Sequence, residues 1–140
     1  MKTRLNWIGD VAWRGETDSG HAIIIDGAPK IGGKNRGPRP MELVVQGLCS
    51  CAAMDVLTIL RKQRQEWKDA RIEATAERAD AVPAVFTKIN VHFLFVSTTL
   101  DQQRVEKAIK LSMEKYCSVS RMLAPSVKIS YSSEVVLDVQ

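Results

Sequence analysis

The segment from Pro40 to Leu60 restricts the fold more than any other part of the chain. It opens on a proline, which suits the first turn of a helix, where its missing N–H costs nothing. Val44, Val45, Leu48, Cys51 and Ala52 then fall on one face at helical spacing, followed by Val56, Leu57 and Leu60. From Leu48 to Leu60 almost the whole circumference is small or apolar, which predicts a central helix buried on all sides and enclosed by sheet. Gly47 invites a break or kink near Cys51, and the polar stretch Arg61 to Arg71 should carry the helix end into solvent. Ser50, Asp55 and Thr58 interrupt the apolar run, which leaves it too short and too polar to cross a bilayer.

The flanking sequence predicts strands. Thr3, Leu5 and Trp7 alternate with Arg4 and Asn6, Val11 to Trp13 resumes a strand after the Gly9-Asp10 turn signal, and His21 to Asp26 carries a β-branched run. Together they predict a three-stranded meander. Gly27 to Pro40 is a loop with four glycines and three prolines that carries Lys30, Lys34, Arg36 and Arg39. Ile72 to Ala79 and Val85 to Ser97 alternate, with Asp80 to Pro83 between them, so they read as an antiparallel hairpin. In the second strand Val85, Thr87, Ile89, Val91, Phe93 and Phe95 share one face. A second helix is predicted from Asp101 to Tyr116, its inner face made by Val105, Ala108, Ile109, Ser112, Met113 and Tyr116. Thr99 or Asp101 can cap it, and Thr99 with Gln102 fits a capping box. Ser118 to Leu123 reads as a short helix, and Val127 to Tyr131 and Glu134 to Val139 as two final strands. The order βββ-α-ββ-α-ββ is α+β, demands no parallel crossover, and fits one domain over residues 1–140.

Composition narrows the function classes. A net charge of +4 is modest, and neither Lys30 to Arg39 nor Arg61 to Arg71 interleaves aromatics with base-reading residues, so a nucleic-acid partner is not expected. Met1 to Gly9 forms no signal-like apolar stretch, and three cysteines without an export signal point to a reducing compartment, with the cytoplasm as default. Cys51 and Cys117 are the candidates for chemistry, although either alone is as readily a small buried hydrophobe. Arg121 lies four residues beyond Cys117, so a further helical turn would bring its guanidinium to the thiol and favour the thiolate. Cys49 and Cys51 would point about 200° apart on a helix. That spacing is poor for zinc, and no metal is expected. No glycine-rich phosphate loop is present, and no cofactor is implied.

The run Gly37-Pro-Arg-Pro-Met-Glu-Leu-Val-Val-Gln-Gly-Leu-Cys-Ser-Cys-Ala-Ala-Met-Asp-Val-Leu, with Glu114-Lys-Tyr-Cys-Ser-Val-Ser downstream, resembles the OsmC/Ohr family. Within it the chain is most similar to the uncharacterised OsmC-like branch. The resemblance implies an intertwined homodimer in which two chains exchange N-terminal strands and form two sites at their interface. It also implies roles: Cys51 matches the peroxide-attacking thiol and Cys117 the resolving thiol, with an external thiol or dithiol as reductant. Active relatives carry a Glu directly after the proline, which holds an activating Arg from the early strands. Here Met41 stands in that place, Glu42 comes one residue late, and Arg14 is the nearest candidate for the Arg. Ser118 follows Cys117 where many relatives have proline. Two readings remain: a thiol-dependent reductase of organic hydroperoxides, and a non-enzymatic protein that holds a small apolar ligand in the same pocket.

Overall fold

The structure, a computed structural model, describes residues 1–138 and divides into two compact units, Met1–Gln46 and Gly47–Gln140. The first unit opens with the predicted meander: β1 (Thr3–Trp7), β2 (Trp13–Thr17) and β3 (Ala22–Ile25), all antiparallel, with Leu5 opposite Gly15 and Gly15 opposite Ile23. Gly9 and Asp10 both take positive φ in the first turn, which the Gly-Asp pair tolerates well. Every residue of β1 is exposed, as are Ile23 and Ile24 of β3 and Trp13 at the start of β2.

The glycine-rich loop that follows is tightly organised rather than merely solvated. Its centre is the buried carboxylate of Asp26, which accepts the backbone N–H groups of Gly27 (2.8 Å), Lys34 (3.0 Å) and Arg36 (3.0 Å). Those bonds, led by the Arg36 amide, hold the Asp26 carboxyl below the usual aspartate range against the opposing effect of burial. Gly37 passes so close to β3 that a Cβ there would lie 2.1 Å from the Ile24 carbonyl oxygen. Three of its basic side chains have partners: Arg36 donates to Asp10 at 2.9 Å, Lys34 pairs with Asp10 at 3.0 Å and Arg39 donates to Asn35 at 2.6 Å.

α1 (Pro40–Lys62) begins at the predicted proline. The Glu42 carboxylate reaches back to accept the Arg39 backbone N–H at 2.8 Å, which is half of a capping box. The expected break at Gly47 is absent; α1 runs through it without interruption. It ends at Lys62, and Asp69 already belongs to the next strand, so the polar stretch to Arg71 is only in part a helix end. Burial on all sides is not found either. Leu48, Ala52, Val56 and Leu60, spaced every four residues, are fully buried, while Met54 is 67% exposed, because the elements of this one chain cover a single stripe of the helix. At 23 residues α1 is long and apolar enough, by length and composition, to cross a bilayer, contrary to the reading of Leu48–Leu60 alone; one such helix is weak evidence for a membrane.

The second unit is built on β4 (Asp69–Arg78), β5 (Phe86–Val96) and β6 (Lys128–Val136), in the order β4-β5-β6. β4 and β5 form the predicted antiparallel hairpin. Ile89, Val91, Phe93 and Phe95 are buried as expected, but Val85 is 53% exposed and Phe86 is buried in its place. A register shift at Glu77/Arg78 is the cause: one extra residue on a bulged strand turns the next side chain to the other face. The last two predicted strands are one continuous strand, β6; Val139 lies outside the described residues. β6 pairs with β5 in parallel, so a crossover exists where none was expected, and the helices between the two strands carry the chain back along the sheet.

That crossover holds α2 (Gln102–Leu111), a π-helical turn (Ser112–Tyr116) and α3 (Ser118–Leu123). Asp101, not Thr99, caps α2, with its carboxylate accepting from the N–H groups of Gln103 (2.7 Å) and Arg104 (3.2 Å). Val105, Ala108, Ile109, Ser112 and Met113 are buried as predicted. Tyr116 is exposed, because the π turn breaks the 3.6-residue period that would have brought it inward.

Candidate functional site

Cys51 and Asp55 are one helical turn apart on α1 and therefore share a face. Cys117 comes to that face from the crossover. One ligand-capable atom from each residue, the two sulfurs and a carboxylate oxygen, lie within 4.8 Å of one another. The π turn determines where Cys117 sits. Its N–H bonds to the Ser112 carbonyl five residues back at 2.8 Å instead of closing an α-turn on Met113. The Met113 carbonyl accepts the Ser120 hydroxyl instead, at 2.7 Å. Ser112, at the start of the π turn, points its hydroxyl at α1, where it is 3.1 Å from the Ala52 carbonyl and 3.2 Å from Asp55 Oδ2.

The two thiols sit in different surroundings. Cys117 is fully buried and occupies the N-cap of α3, where its Sγ accepts the Ser120 backbone N–H at 3.4 Å. Burial pushes this thiol up to about 11, with the hydrogen bond and charge it shares with Cys51 acting in the same sense and the Ser120 amide acting against them. Cys51 is half-buried. Cys49 is also half-buried, and burial raises its thiol. All three cysteines are free thiols.

A cavity of about 550 Å³ borders the cluster, lined by Asp55, Thr58, Ile59, Lys62, Gln63, Leu111 and Tyr116. Asp55 belongs to both the cavity wall and the sulfur cluster.

The other residues singled out from the sequence are engaged elsewhere. Arg14, on β2, is exposed and paired with Glu16. Glu42 accepts the Arg39 amide at the start of α1. Arg121 does not reach Cys117 by helical spacing, because Cys117 has extended backbone (ψ 109°) and only caps α3; the guanidinium lies 3.4 Å from the Glu114 carbonyl. The sequence reading missed Asp55 and Ser112. A signal existed for Asp55: a carboxylate one turn beyond a cysteine in an otherwise apolar helix requires a partner. For Ser112 none did, since its contact with α1 depends on how the crossover packs.

Two crossing elements, an apolar helix carrying one thiol and a helical crossover carrying another, define a class of mixed α+β thiol proteins. The chain belongs to the OsmC family: the family model described as OsmC-like protein matches residues 33–132. It is 40% identical over 136 residues to Protein YhfA of Escherichia coli K12, covering 97% of this chain and 98% of the relative. A crystal structure of a hypothetical protein from Aquifex aeolicus superposes with a TM-score of 0.86 at 32% identity, covering 99% and 97% of the two chains. An organic hydroperoxide resistance protein OsmC from Legionella pneumophila shares the fold at a TM-score of 0.72 and 18% identity, covering 96% and 98%.

Proposed function

We propose that this chain is a thiol-dependent reductase of organic hydroperoxides that works in the cytoplasm as a homodimer. The observation that carries the reading is the meeting of a half-buried and a fully buried thiol within 4.8 Å. The more accessible sulfur, Cys51, attacks the terminal oxygen of a hydroperoxide as the thiolate. The O–O bond breaks and the terminal OH passes to sulfur, so that Cys51 becomes a sulfenic acid. The alkoxide leaves as an alcohol by taking up the proton that the thiol released on ionising. Cys117 then displaces water from that sulfur and a Cys51–Cys117 disulfide forms. An external dithiol returns both to thiols by exchange and leaves as its own disulfide. The cavity beside Asp55, with Ile59, Leu111 and the Tyr116 ring in its wall, suits an organic group better than hydrogen peroxide.

The homodimer is supported from two places. β1 has no buried residue and Trp13, Ile23 and Ile24 are exposed on its neighbours, yet a small sheet needs a dry face to be stable. α1 likewise buries only one stripe and leaves Met54 open. A second copy of the chain, with exchanged N-terminal strands, is the cover proposed for both.

A second reading, a binding protein for a small apolar ligand, is favoured by the use of Glu42 at the start of α1 and by Met41 in the position before it. One experiment separates the two. Reduced protein is mixed with cumene hydroperoxide, and its disulfides are mapped by mass. The reductase reading expects a Cys51–Cys117 disulfide in the wild type, no oxidation at this site in Cys51→Ser, and a trapped sulfenic acid in Cys117→Ser. Thiols that stay free in the wild type, together with saturable binding of an apolar probe, establish the second reading instead.

A further inference from the structure

We propose that, in its reduced state, the Cys51–Asp55–Cys117 cluster is a binding site for a thiophilic divalent cation such as Zn²⁺. Two sulfurs and a carboxylate oxygen already lie within 4.8 Å of one another. Tetrahedral zinc with Zn–S bonds of about 2.3 Å sets its sulfur ligands about 3.8 Å apart, so the two sulfurs need to draw together by no more than about 1 Å. The donor set selects the metal. Two thiolates with one carboxylate match Zn²⁺, whereas Mg²⁺ and Ca²⁺ require oxygen shells that this cluster lacks.

The surroundings are also those of a metal ligand set. The Ser112 hydroxyl holds Asp55 Oδ2 from the crossover at 3.2 Å, and such outer hydrogen bonds orient ligating carboxylates. Cys51 and Asp55 sit at i and i+4 on a continuous helix, so two of the three donors are positioned by rigid backbone. Asp55 also forms part of the cavity wall, which provides a route for the ion and leaves room at a fourth ligand position. Binding forms two metal–sulfur bonds and one metal–oxygen bond and releases the two thiol protons to solvent; no electron is transferred. The metal and the Cys51–Cys117 disulfide use the same sulfurs and exclude each other.

The test uses the full-length reduced chain. Wild type is equilibrated with Zn²⁺, desalted and assayed for metal, and a parallel sample is titrated with Co²⁺. The expected result is one ion per chain and, for cobalt, the near-ultraviolet charge-transfer band of a thiolate ligand. Cys51→Ser and Cys117→Ser should lose both, Asp55→Asn should bind more weakly than wild type, and Ser112→Ala should weaken binding about tenfold. Wild type alone supplies a second measurement if a variant fails to fold: one equivalent of Zn²⁺ should protect Cys51 from iodoacetamide. Absence of the cobalt–thiolate band in wild type, no protection by zinc, or undiminished binding in Cys51→Ser or Asp55→Asn overturns the proposal. No peroxide enters these assays, so a protein that ignores hydroperoxides yet binds zinc fails only the reductase reading, and one that reduces them yet binds no metal fails only this one.

Discussion

Oxidation of the site should stabilise the fold, by an amount that can be worked out. A Cys51–Cys117 disulfide closes a loop of about 67 residues. Chain-entropy reasoning for a loop of that length removes about 4 kcal/mol of freedom from the unfolded chain. Against this stands the cost of bringing the sulfurs from as much as 4.8 Å to a bond of about 2.05 Å, a closure of at most about 2.7 Å. Cys117 sits in a cap with extended backbone rather than in the middle of a helix, which gives its side chain room to turn. The net gain is therefore expected to be most of the entropic figure. For a chain near this size about 2–4 °C of Tm accompanies each kcal/mol, so oxidation should raise Tm by about 8–16 °C. The assay compares thermal unfolding of protein kept in reductant with protein treated with one equivalent of cumene hydroperoxide, the disulfide being confirmed by mass. Cys51→Ser treated in the same way should not shift. A mapped Cys51–Cys117 bond with an unchanged or lowered Tm would refute the reasoning, because it would mean that α1 or the π turn must distort to let the sulfurs meet.

Three further outcomes are expected. The Cys117 thiol is raised by burial from 9.0 to about 11, so the folded state favours its neutral form; the stability it contributes is fully present below about pH 9 and is lost as pH rises through about 11. Urea unfolding of reduced wild type should weaken over that window, and Cys117→Ser should flatten the loss. Asp26 is shifted the other way, so its contribution is present above the ordinary aspartate pKa and disappears as pH falls through its lowered value; Tm measured down an acid series should fall for wild type, with Asp26→Asn already low at neutral pH and less sensitive to acid. Leu48→Ala empties a fully buried position on α1 and should cost about 2–5 kcal/mol in urea unfolding without altering the map of oxidised cysteines.

Periodicity and punctuation made most of the fold legible. Pro40 placed the start of α1, the alternation through Ile89, Val91, Phe93 and Phe95 identified the inner face of β5, and the spacing of Val105, Ala108 and Ile109 that of α2. What stayed hidden was whatever depends on a partner element. The exposure of Phe86 and Val85 is exchanged by a bulge, whose extra residue leaves no compositional mark. β6 looked like two strands because Ser132 and Ser133 imitate a turn, whereas the parallel ladder with β5 runs straight through them. At the site, family resemblance paired Cys51 with Cys117, but the π turn that positions Cys117 has no local signature. Asp55 was visible only as an interruption in a hydrophobic run, and its meaning as a third donor emerges once the crossover is laid over α1.

The parallel ladder has a consequence for how the chain comes together. Lys88 is paired with Lys128 and Val96 with Val136, so every rung joins residues forty positions apart, and the entropy of closing that span must be overcome before any rung is gained. Cys117 lies inside the span and Cys51 before it. Until the crossover has packed on α1, the thiol nearest to Cys51 along the chain is that of Cys49, two residues away on the same helix. Proximity of the two partner sulfurs thus requires the crossover to be packed on α1, and a chain oxidised before that packing should form no Cys51–Cys117 bond.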